Sequence, residues 1–86
     1  MAVAYKLVGF DRKTEQLAEA YDIPAALVDR AKEIAGIANR PEIIGDWPLT
    51  AGQAAAIADT ISRRIDIRHH DFSLEPYEHH QAEQTG

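Results

Sequence analysis

Four histidines stand in two adjacent pairs, His69-His70 and His79-His80, and Arg63, Arg64 and Arg68 lead into the first pair. Imidazole is a common ligand for transition metals, so paired histidines raise a metal-ion reading. Adjacent residues project differently, no His-x-x-x-His spacing is present, and the second pair falls in a polar tail. The expectation is solvated histidines, with no metal and no cofactor. The three arginines form the main basic concentration of an acidic chain. Guanidinium forks fit carboxylates and phosphates, which makes Arg63, Arg64 and Arg68 candidates for partner binding. The plainer alternative is that Arg63 and Arg64 complement the carboxyl end of a helix, where cations are favoured.

Trp47 is the other candidate partner contact, because tryptophan is enriched at binding hot spots and this one lies in a Gly45-Asp46-Trp47-Pro48 turn. Packing over the start of the next helix is its alternative role. Catalytic readings lack their parts. The chain has no cysteine, no Gly-rich phosphate loop and no nucleophile elbow. Ser62 and Ser73 each stand near a histidine in sequence, but nothing sets a carboxylate behind it. Asp11, Asp66 and Asp71 read as turn formers rather than an acid/base pair. No catalytic residues are expected, and the chain is read as not an enzyme.

A helix-turn-helix frame can be laid over 16–31, with Leu17 and Ala18 in a first helix and Ile23 and Val28 after the turn. Its recognition helix would offer only Arg30 and Lys32, interleaved with Asp29 and Glu33. The net charge of −5 also disfavours phosphate backbones and anionic lipid. A small DNA-binding regulator is therefore an alternative, and nucleic acid is not an expected partner.

Eighty-six residues allow one domain, expected over 1–77 with a disordered tail over 78–86. No run approaches the ~18 to 20 apolar residues of a membrane span, and Met1 to Phe10 lacks the pattern of a signal peptide. A small secreted domain would usually carry disulfides, so the absence of cysteine argues for the cytoplasm.

These candidates need elements to hold them. Val3 to Phe10 reads as a strand running into the polar turn Asp11-Arg12-Lys13-Thr14. Gln16 to Ile23 is ambiguous: its larger residues alternate as in a strand, yet its helix propensity is high, and local physics leans slightly to helix. Pro24 opens a helix over 24–35 whose stripe of Leu27, Val28, Ala31, Ile34 and Ala35 ends at Gly36. A connection over 37–49 follows. Thr50 and Gln53 form a capping box, and Ala54, Ile57, Ala58 and Ile61 recur at helical spacing, predicting a helix over 51–62. After it the period becomes two, with Ile65 and Ile67 flanking Asp66, and a last strand is expected near 71–75.

The segments Tyr5-Lys6-Leu7-Val8-Gly9-Phe10-Asp11, Trp47-Pro48-Leu49-Thr50 with Gln53-Ala54, and Asp71-Phe72-Ser73-Leu74-Glu75 carry a resemblance that spans most of the chain. It is to a family of small bacterial domains of unknown function, with a VVGFD…EL hairpin, a YPL…QA..IA helix and a YDYFLE-like closing segment. This chain departs by placing His70 and Ser73 in the closing segment and Trp47 before the proline. The resemblance implies that Gln16 to Ile23 is the second strand of a hairpin, and it brings no activity and no functional residues. The expected fold is α+β, in the order β-β-α-α-β, a small mainly antiparallel sheet with two helices on one face.

By elimination the chain reads as a non-catalytic protein-interaction module whose partner is protein, either a second copy in a homodimer or a heterologous chain. A specific form is an immunity or antitoxin-like protein whose acidity suits a basic partner.

Overall fold

A computed structural model describes residues 3–39 and 45–78, with the side chains of Val3 and Glu78 excepted. Six elements follow in order: β1 (Val3–Asp11), β2 (Leu17–Ile23), α1 (Val28–Ala35), β3 (Trp47–Pro48), α2 (Ala51–Thr60) and β4 (His70–Glu78). A 3-10 turn, Ala25–Leu27, leads into α1. The strands form one antiparallel sheet in the order β2-β1-β4-β3. This is the expected α+β fold, with β3 as an addition: two residues of the anticipated connection pair with Leu74 and Ser73.

The β1–β2 hairpin turns through residues 12–15. Asp11 Oδ1 accepts from the amides of Lys13 at 2.8 Å and Thr14 at 3.0 Å, which is the turn-forming use of an aspartate. Glu15 takes a left-handed φ of 62°, and the Asp11 amide donates to the Gln16 carbonyl at 2.9 Å. Between Gly9↔Glu19 and Phe10↔Leu17 the register slips, so Ala18 is the extra residue of a bulge. Tertiary pairing thus overrides the helix propensity of this segment, and the helix-turn-helix frame falls because 17–23 is strand.

Alternation along β1, β2 and β4 sends Tyr5, Leu7, Ile23, Phe72 and Leu74 to one face, where they are buried against Ala31 and Ala35 of α1, Ile37, and Ala54, Ile57 and Ala58 of α2. The small residues repeat at i, i+4 on both helices and allow close approach to the sheet. Leu7, Leu74, Ile57 and Ile37 are fully buried, and burying such a side chain stabilises by about 1.5–3 kcal/mol.

Both helices end in left-handed closures. After α1, Gly36 has φ 81°, and the amides of Gly36 and Ile37 donate to Glu33 and Lys32 carbonyls at 3.1 and 2.9 Å. After α2, Ser62 with φ 58° holds that position, and Ser62 and Arg63 amides donate to Asp59 and Ala58 at 3.1 and 2.8 Å. The helix therefore stops at Thr60 rather than Ser62, and neither Arg63 nor Arg64 lies in its last turn.

The segment around Ile65 and Ile67 is a loop with both isoleucines packed on the core, not a strand. β4 runs to Glu78, beyond its expected end and one residue into the anticipated tail, with Glu78 opposite Val3. Pro76 is compatible with it because β3 pairs only with Leu74 and Ser73, so that among the described residues no outer ladder at residue 76 is interrupted. The rest of the expected tail, with His79 and His80, lies outside the described residues.

Candidate functional site

Two loops converge at one end of the sheet: the hairpin turn after β1 and the 61–69 loop before β4. Between them lies a groove of about 460 Å³, lined by Asp11, Arg12 and Lys13 on one side and Asp66, Arg68, His69 and His70 on the other. Arg12 pins the two sides together. Its Nε donates to Asp71 Oδ1 at 2.8 Å, Nη1 to the Arg68 carbonyl at 2.9 Å and Nη2 to the Ile67 carbonyl at 3.0 Å.

Asp66 organises the far wall. Its Oδ1 accepts from the amides of Arg68 at 3.0 Å and His69 at 3.1 Å, and its Oδ2 lies 2.9 Å from His69 Nδ1. The His69 hydrogen bond leads the causes that hold the Asp66 carboxyl below its ordinary pKa, with burial opposing and the two amides assisting. Asp11 is likewise held low, by the Thr14 and Lys13 amides.

Beneath the groove is a more enclosed polar cluster. Glu19 on β2 and His70 on β4 flank β1 and meet across it: His70 Nδ1 lies 2.6 Å from Glu19 Oε2. Their side chains are only 12% and 17% exposed. Tyr21 Oη donates to Glu19 Oε1 at 2.7 Å, and the Asp66 amide donates to Oε2 at 3.1 Å. Burial alone would push the Glu19 pKa up. Hydrogen bonds from Tyr21, His70 and the Asp66 amide together outweigh it, and the pKa sits below its ordinary value. The same bond to Glu19 raises the Tyr21 phenol.

Gly9 leaves the room for this bridge. A Cβ there would lie 2.6 Å from Phe72 Cε2 and 3.1 Å from Glu19 Cγ, so the Phe72 ring and the Glu19 stem occupy the space a side chain would fill.

The four residues singled out from sequence are not brought to one place. Trp47 is half-buried against the core, and its Nε1 donates to the Ala35 carbonyl at 3.2 Å. The Arg63 guanidinium carbon lies 5.6 Å from the Tyr21 ring centroid, a cation–π distance. Arg64 is exposed, and Arg68 lines the groove. Sequence reasoning missed Arg12, Glu19 and Tyr21. The Asp66-x-x-His69 spacing was the one local signal of the far wall, since Arg12 meets Asp71 and Glu19 meets His70 more than fifty positions away.

His69 and His70 turn to different carboxylates. Among the described residues no group of three or more histidine, aspartate or glutamate side chains could hold a metal ion. Among them also, no helix is long and apolar enough to cross a membrane.

Helices on one face of a hairpin-led antiparallel sheet, with a polar cluster bridging the first, second and last strands, define a small α+β domain. The chain belongs to the family described as "Domain of unknown function (DUF7683)", which it matches over residues 4–75. Comparison with curated proteins and with solved structures found no match.

Proposed function

We propose that this domain is a non-catalytic protein-interaction module that works as a symmetric homodimer, joined through the free edge of β2. The observation that carries the reading is the character of that edge. β2 ends the sheet with seven residues whose outer backbone groups have no strand beside them among the described residues. It contains no proline, lysine or arginine, the usual guards of an edge, and its first residue, Leu17, is 60% exposed.

A two-fold axis through Ala20 sets Leu17 opposite Ile23, Ala18 opposite Asp22 and Glu19 opposite Tyr21. No like charges face each other in that register, and the two sheets become one. Closed two-fold pairing is also the commonest association of small soluble chains, and added buried area matters to a core of this size. The same reading takes the family as bacterial and the protein as cytoplasmic, the latter because a small domain without cysteine suits a reducing compartment.

Light scattering coupled to size exclusion tests it. The expected mass at tens of micromolar is about twice the 9.5 kDa of the chain. Ala20→Lys, which sets two cations on the axis, returns the monomer. A mass of 9.5 kDa at every concentration rejects self-association and leaves a heterologous partner, such as a basic chain matched to the net charge of −5.

A further inference from the structure

We infer that the groove between the hairpin turn and the 61–69 loop is a binding site for a phosphate-class oxyanion. The inference is independent of the dimer edge. Its first support is the balance of charge that the groove presents. Three cations, Arg12, Lys13 and Arg68, line it with two carboxylates, Asp11 and Asp66, and Asp71 pairs with Arg12 from beside it, in a chain whose net charge is −5. The carboxylates are turned into the loops. Asp11 Oδ1 is occupied by two backbone amides, and Asp66 by two amides and His69 Nδ1.

The cations are not equivalently occupied. Lys13 and Arg68 are exposed, and among the described residues neither side chain has a hydrogen-bond or ion-pair partner. Arg12 uses one N–H from each of its three nitrogens to clamp the walls, which leaves two of the five guanidinium N–H groups. His69 and His70 each hold a carboxylate with Nδ1, so in both rings Nε2 is the remaining nitrogen, a donor to an oxyanion when the ring is protonated. Unpartnered cations beside anchored rings, on walls already fixed by Arg12, make a preorganised acceptor for a compact multivalent anion.

A phosphate fits this better than a polynucleotide. The groove gathers three of the nine lysines and arginines, while the net acidity of the chain disfavours an extended phosphate backbone.

The test is an amide chemical-shift titration of the full chain at fixed ionic strength, with inorganic phosphate, O-phosphoserine, serine and chloride as probes. Saturable shifts are expected at Lys13, Arg68, His69 and His70 with the two phosphate probes only. Lys13→Ala combined with Arg68→Ala is expected to weaken binding by about 10-fold or more, with the core resonances of the free protein unchanged. Tighter binding of O-phosphoserine than of inorganic phosphate identifies an esterified phosphate as the ligand, and equal or weaker binding identifies the free ion. Absence of saturation up to tens of millimolar, equal shifts with chloride, or a double variant that binds like the parent protein overturns the inference.

Discussion

Glu19 and His70 reach each other over Gly9, with 2.6 Å between Oε2 and Nδ1, although a whole strand separates β2 from β4. Two inter-strand spacings amount to roughly 10 Å at the backbone, a span that two long side chains close only if the strand between them presents no side chain of its own. The cluster is therefore a tie across three strands, with Tyr21 and the Asp66 amide saturating the carboxylate.

That tie predicts an acid-sensitive stability. The folded-state pKa of Glu19 lies below its ordinary value of 4.5. Its contribution is thus present above pH 4.5 and lost as pH falls through the lower folded value. Glu19→Gln is expected to lower stability at pH 7 by about 1.5–3 kcal/mol, the range for hydrogen bonds to a charged group, and the gap to the parent protein should narrow on acidification. Urea midpoints between pH 3 and 7 check it, and a gap that stays constant would show that the carboxylate charge contributes nothing to the tie.

Gly9→Ala is expected to destabilise although alanine suits a strand as well as glycine does. The new Cβ would fall 2.6 Å from Phe72 Cε2 and 2.9 Å from Cζ, and the ring is buried, at 4% exposure. Overpacking of this kind costs about 1–3 kcal/mol. Phe72→Leu should recover part of the loss in the double variant, because the two positions face each other across β1 and β4. Additive losses in the double-mutant cycle would refute the contact.

Glu75 provides the opposite sign. Burial first, then the hydrogen bond and charge of Asp46, raise its pKa above the ordinary 4.5, with Lys6 partly offsetting them. A carboxyl with a raised folded pKa favours the native state below the unfolded value and loses that contribution as pH rises through the folded one. Glu75→Gln should therefore stabilise the protein at pH 7, with an advantage that fades below pH 4.5. Thermal midpoints at pH 4 and 7 separate this from a pH-independent packing effect.

Much of the framework is legible from local sequence because its signals act locally. The Asp11 turn, the Gly36 stop and the Thr50 cap each concern residues within a few positions of one another. Gln16 to Ile23 is different. Its strand state comes from pairing with β1, an interaction that helix propensity does not register; alternation left both states open, and the family resemblance favoured the strand. The groove and the Glu19 cluster were out of reach for a related reason. Arg12 meets Asp71 and Glu19 meets His70 at separations of 59 and 51 residues, so no spacing rule connects them. Trp47 takes up the packing role that its residue type also suits, engaged with the core and with Ala35.

Gln53 carries the last prediction, because it has two tasks that one substitution can separate. Thr50 Oγ1 accepts from the Gln53 amide at 3.1 Å, and Gln53 Oε1 accepts from the Thr50 amide at 2.9 Å, completing the capping box. The other end of the same amide group, Nε2, donates to the Ile34 carbonyl at 3.2 Å. Ile34 and Ala35 end α1, where carbonyls lack helical partners, so Gln53 and Trp47 from the following segment satisfy two adjacent orphan acceptors. Glutamate is ordinarily as good as glutamine at this position of a capping box, and its charge suits a helix N-terminus. Here Gln53→Glu keeps the acceptor for Thr50 but replaces the donor to Ile34 with a carboxylate oxygen facing a carbonyl oxygen. The expected outcome is a loss of about 1–2 kcal/mol at pH 7. Thr50→Ala, which removes only the cap, should cost about 1 kcal/mol and leave the α1 contact in place. Amide hydrogen exchange in the last turn of α1 distinguishes the two: protection should fall selectively in Gln53→Glu, whereas Thr50→Ala should loosen the first turn of α2. If Gln53→Glu were as stable as the parent protein, the capping rule alone would govern the position and the bond to Ile34 would contribute nothing.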